Sequence, residues 1–129
     1  MKFLCLYKPA KPEGTPPTQQ EMERMGKLVD EGFKSGRLLA TEACLPSSKG
    51  ARVRLSDGKF TVIDGPFTES KELVAGFALI RADSKAEAIE YTRQFLQFAG
   101  DGETEIRQIF EVSDFLPEAF GAKAEAEWR

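Results

Sequence analysis

Any acid–base or ligand chemistry in this chain falls to carboxylates, tyrosine and basic side chains, because none of its 129 residues is a histidine. The commonest general base near neutral pH, and the commonest metal ligand, are therefore missing. The remaining candidates are Asp64 and Glu42 as acids or bases, Tyr7 as a hydrogen-bond donor, and Arg52, Arg54 and Lys71 as partners for an anion. Desolvation can raise a carboxylate's pKa into the range of a useful base, and arginines can hold a carboxylate in a bidentate fork. Each candidate also has a structural role to weigh. An aspartate heading a tight turn commonly accepts hydrogen bonds from the backbone N–H groups of that turn, and alternate arginines on a strand commonly form a solvated face or pair with glutamates. With two cysteines and no Cys-x-x-Cys spacing, a transition-metal site would have to be built from carboxylates, which better suit hard ions such as magnesium. No Gly-rich phosphate loop or nucleophile elbow is visible, so neither metal nor cofactor is expected.

The elements that must position these groups follow from periodicity. Residues 2–7 are almost continuously apolar and predict a strand buried on both faces. A proline-rich loop follows from Lys8 to Pro17. Thr18 and Glu21 have capping-box spacing, and Met22, Met25, Val29 and Phe33 then recur on one helical face until Gly36. Residues 37–44 predict a second strand. In 51–55 apolar and basic residues alternate, so Arg52 and Arg54 share a face. Asp57-Gly58 is a hairpin signal, and Lys59 to Ile63 is its returning strand. Asp64-Gly65-Pro66-Phe67 then makes a fixed turn, Thr68 to Glu72 suits a turn of helix, and Leu73 to Ile80 is the most apolar strand. Gly76 inside it marks a bulge, a close backbone approach or a simple packing gap. Ser84 and Glu87 cap a second helix whose apolar face is Ala88, Ile89, Thr92, Phe95, Leu96 and Ala99, stopping at Gly100. Thr104 to Val112 is the last strand.

This order predicts an α+β fold, the ferredoxin-like β-α-β-β-α-β arrangement with an inserted β-hairpin, as a single domain over 1–129 with 113–129 as a C-terminal extension. Both helices then lie on one face of the sheet. The strands at 3–7 and 73–80 are apolar on their other face as well, so a second copy is the economical cover. A formal charge of −3 argues against direct nucleic-acid binding. The short apolar start suits neither a signal peptide nor a membrane span, and two buried, reduced thiols fit the cytoplasmic location expected.

Asp64-Gly65-Pro66-Phe67-Thr68-Glu69-Ser70-Lys71, taken with the flanks at 46–54 and 105–111, resembles the DGPF-domain branch of the YCII-related family. The resemblance implies a dimeric α/β-barrel in which two sheets pack face to face. The candidate site residues of this chain are Asp64 as the catalytic group and Tyr7, Glu42, Arg52, Arg54, Phe67 and Lys71 as the ligand-binding set. Two classes of function follow from the resemblance. One is a homodimer holding a small organic anion in a cleft between sheet and helices, as a binding protein or a cofactor-free lyase or isomerase. The other is a non-catalytic regulatory partner, since genes of DGPF-domain proteins often neighbour those of sigma factors. Some members of the wider family carry a His–Asp pair regarded as a catalytic dyad, the histidine preceding a Gly-Arg-Leu-Leu segment. Here that segment is Gly36-Arg37-Leu38-Leu39 and the histidine position falls on Met25, so the dyad does not carry over.

Overall fold

The computed structural model describes residues 1–67 and 72–115. The helical turn expected at 68–72 falls largely outside them, as do Lys71 and the C-terminal extension beyond Phe115. The strands are β1 (Lys2–Pro9), β2 (Leu38–Ala43), β3 (Ala51–Ser56), β4 (Lys59–Asp64), β5 (Gly76–Arg81) and β6 (Gly102–Gln108), and the helices are α1 (Gln19–Ser35) and α2 (Lys85–Ala99). Strands β2, β5, β1 and β6 form an antiparallel sheet in that order, while β3 and β4 pair only with each other. This is the ferredoxin-like order with its inserted hairpin.

Both helices start as their capping residues dictate. Thr18 Oγ1 accepts from the Glu21 N–H at 3.1 Å and Ser84 Oγ from the Glu87 N–H at 3.1 Å, each satisfying a donor with no partner inside the helix. Helix α1 ends at Gly36, which takes the left-handed conformation at φ 78°. The core lies between the sheet and α2, where Phe3, Cys5, Ile80, Ala82 and Ala88 are buried and Leu38, Ala78, Tyr91 and Ile106 pack against them.

Several expectations are corrected in detail. Met22 and Phe33 of the α1 stripe stay about half exposed, because α1 packs mainly against α2 and the edge strand β2 and has a narrow face to bury. Ile89 is exposed, and Tyr91 takes its place against the core. Strand β5 begins at Gly76 rather than at Leu73, and β6 ends at Gln108. Of the two thiols only Cys5 is buried; Cys44, in the loop after β2, is exposed. Strand β1 is closed on one face alone, with Phe3 and Cys5 under the helices and Leu4 and Leu6 half-buried opposite. No described helix is long and apolar enough to cross a membrane.

Candidate functional site

Directly opposed residues in an antiparallel pair point to the same side of the sheet, so the register maps the helix-free face. One row across it reads Glu42, Phe77, Leu6, Glu105, and the next reads Ala40, Leu79, Leu4, Arg107. Leu4, Leu6, Phe77 and Leu79 form a half-buried apolar centre with charges at the margins. Glu42 reaches this side because the β2–β5 register shifts between Leu38 and Ala40; the extra residue reverses the parity of everything after it. Gly76 sits where a Cβ would come within 3.0 Å of the Glu42 carbonyl oxygen, so close backbone approach is the reason for glycine there.

At the end of this face where β1 finishes and β6 begins lies a cluster that sequence reasoning missed. Lys8 Nζ donates to Glu105 Oε1 at 3.0 Å and stands 3.8 Å from Glu72 and 3.9 Å from Glu103, its side chain only 10% exposed. The hydrogen bond to Glu105 raises the Lys8 pKa above the ordinary lysine value. The same bond, then one from Arg107, lowers that of Glu105. The signs fix a window. Glu105's stabilisation is complete above the unfolded glutamate value of ~4.3 and is lost as pH falls through its lowered pKa; Lys8's is complete below the unfolded ~10.4 and is lost as pH rises through its raised one. Lys8→Met should therefore flatten the loss of stability on acidification from about pH 5 to about pH 3, measured by urea midpoints. Equal slopes in the two proteins would show that the cluster contributes nothing. By sequence Lys8 opens the proline-rich loop, whereas β1 runs on to Pro9 and carries Lys8 into the sheet, and nothing local announces its three partners.

The hairpin joins the same end of the sheet. The Cys44 N–H donates to the Ala75 carbonyl and the Ala75 N–H to the Tyr7 carbonyl, tying the segments before and after it to β1. The β3–β4 turn is Asp57-Gly58, both residues at positive φ (50° and 76°), as a two-residue hairpin requires. At its base Gly65 N–H donates to the Gly50 carbonyl at 3.0 Å, and Phe67 N–H donates to Ser47 Oγ at 2.9 Å. The Gly65–Pro66 peptide is cis. Ser47 in turn donates its N–H and its hydroxyl to the Glu13 carboxylate, both at 2.7 Å. The turn's N–H thus goes to Ser47, whereas Asp64 is exposed and makes no side-chain hydrogen bond to a described residue. The expectation that Asp64 satisfies the turn is corrected in favour of Ser47, a residue some twenty positions upstream that no local pattern connects to it. Ser47→Ala should destabilise the fold by about 1–2 kcal/mol, through a buried N–H left without an acceptor, and Asp64→Ala by less than about 0.5 kcal/mol. Chemical denaturation of the two variants checks the order, and a larger loss at Asp64 would reverse the assignment.

The sequence-selected side chains are only partly gathered. Phe67 is buried, and the Arg52 guanidinium lies 3.9 Å from its ring centroid, a cation–π contact. Arg52 and Arg54 share the hairpin face with Ile63, Thr61 and Lys59, whereas Asp64, opposite Ala51, belongs to the other face. Tyr7 points to the helix side of the sheet: its hydroxyl donates to the Ala99 carbonyl at 3.4 Å, and its ring meets Phe95 edge-on at 5.2 Å. Burial, then the nearby Asp101 charge, raises its pKa, so Tyr7 stays a neutral donor and is separated from Glu42 by the sheet. Cys5 is likewise held as a thiol by burial, which outweighs its hydrogen bond with Thr92. Phe3, Cys5, Ile80, Ala82 and Ala88 occupy the space between the sheet and α2. Among the described residues, two open depressions lie at the far end of the sheet, the larger being about 610 Å³ and lined by Met1, Lys2, Arg81, Phe110, Glu111 and Val112.

Comparison with known proteins fits this architecture. An uncharacterized protein of Rhizobium meliloti (strain 1021) is 38% identical over 75 residues, 58% of this chain and 60% of that protein; the chain thus spans less than two thirds of this relative. Among solved structures, 5-chloro-2-hydroxyhydroquinone dehydrochlorinase from Burkholderia phenoliruptrix AC1100, in complex with 2,5-dihydroxybenzoquinone, matches 86% of this chain and 95% of its own, with a TM-score of 0.50. At 15% identity that is a likeness of fold. The YCII-related domain matches residues 1–113, which takes in every strand and helix from β1 to β6, and the chain therefore belongs to the YCII-related family.

Proposed function

We propose that the protein is a homodimer of the DGPF type that binds a small organic anion on the open side of its sheet, with Arg52 and Arg54 as the cations that hold it. The observation that carries this is the helix-free face, where Leu4, Leu6, Phe77 and Leu79 lie half-buried inside a charged margin. An apolar centre with a polar rim is what an interface or a ligand site needs, and two copies packed there would close the face and leave clefts at its ends. The basic face of the hairpin stands at one such end, with Arg52 already steadied on Phe67. A neighbour in fold that carries a small dihydroxybenzoquinone supports a small ring compound as the class of ligand. A lyase or isomerase step without a cofactor would also need a carboxylate to take a proton. Asp64 lies on the opposite face of the hairpin from the arginines, so within one chain it is not placed to take a proton from an anion they hold, and such a step would need a carboxylate from elsewhere.

Sedimentation velocity and calorimetric titration with small carboxylates and hydroxyquinones test both parts. The wild type should sediment as a dimer and bind at least one of these anions. Arg54→Ala should bind it at least about tenfold more weakly, given ~1.5–3 kcal/mol for a hydrogen bond to a charged group. A stable monomer would remove the dimer, equal binding by both proteins would remove the arginine site, and no binding of any compound would favour the protein-partner function.

A further inference from the structure

Among the described residues, nothing covers one face of the inserted hairpin. Val53 lies opposite Val62 and Leu55 opposite Phe60, so four apolar side chains share one face of β3–β4, 66%, 64%, 62% and 73% exposed respectively. The other face is turned towards the chain's own body, since Arg52 is its half-buried member and packs on the buried Phe67. An isolated two-stranded hairpin is marginal in water at best, and this one makes no ladder with the main sheet. Its apolar face needs a cover from outside the described chain.

We propose that the cover is a second copy: the hairpin is an arm that lays Val53, Leu55, Phe60 and Val62 on the partner and extends the dimer contact beyond the sheet face. This rests on the homodimer proposed above. Area favours it. The four side chains, each at least 62% exposed, form a contiguous apolar patch of the kind that on a monomer signals association. A standard interface takes about 800 Å² from each partner, and the neighbouring helix-free face supplies further apolar surface towards it. The turn at Val112–Phe115 is no cover, because β6 runs away from the hairpin end and the turn follows Ile109, whose N–H donates to the Lys2 carbonyl at the opposite end of β1.

Amide hydrogen exchange on the full wild-type chain over a concentration series, with sedimentation of Phe60→Asp, Val62→Asp and Leu79→Asp, tests the arm. Protection of residues 51–64 should rise with protein concentration, and either hairpin substitution should raise the dimer dissociation constant at least about tenfold. Concentration-independent protection across a range in which sedimentation shows monomer and dimer exchanging places would mean that the chain covers its own hairpin and would overturn the proposal even if a substituted chain failed to fold. If Leu79→Asp dissociates the dimer while Phe60→Asp and Val62→Asp do not, the arm is wrong and the sheet-face dimer stands. A wild type that is monomeric throughout ends both.

Discussion

Gly65→Ala should lower the stability of the fold by about 2–4 kcal/mol, because the added methyl group has nowhere to go. A Cβ at Gly65 would fall inside the van der Waals surface of the Ser47 carbonyl oxygen and within 3.2 Å of the Ser48 nitrogen. Both obstacles are backbone, held in turn by the bonds from Ser47 to Glu13 and from Gly65 to Gly50, so relief requires the whole base of the hairpin to move. Gly26→Ala is the matching control. It lies within α1 with nothing within 4 Å of a built Cβ, and replacing a helical glycine by alanine should add about 0.5–1 kcal/mol. Urea unfolding of both variants measures the contrast. A Gly65→Ala midpoint within error of the wild type would mean that the hairpin base is not held as described. The position matters for function because the same base sets Arg52 on Phe67, and a displaced hairpin should lose anion affinity together with stability.

Phe3→Ala should be at least as costly, at about 3–5 kcal/mol. The side chain is 1% exposed at the centre of the cluster of Cys5, Ile80, Ala82 and Ala88, and small neighbours such as the two alanines have little reach to fill the void. Leu4→Ala, one residue on, faces the opposite side and should cost less in the monomer. If two copies meet on that face, its effect should appear as a weaker dimer. Denaturation midpoints across a concentration series separate the two, since only the dimer-linked part depends on concentration. Equal, concentration-independent losses at the two positions would argue against a one-sided core.

The contrast between these neighbours shows which features are local. Thr18, Ser84, Gly36 and Asp57-Gly58 could be read from the chain alone because a cap or a two-residue turn is closed by residues three or four positions apart. Element order followed from those signals, and with it the ferredoxin-like arrangement. The face taken by a particular side chain did not. Counted straight along β2, Glu42 belongs with Leu38 on the helix side, and it is the one-residue register shift against β5 that carries it to the open face. Lys8 gives no hint of a cluster until β6 and the segment at Glu72 are folded against β1. Asp64 sits in the motif that drew attention, yet the turn is held by Ser47 and Glu13, which reach it from elsewhere in the chain. Such sites depend on pairing between segments tens of residues apart, where one inserted residue reverses the outcome while hydrophobic periodicity barely changes.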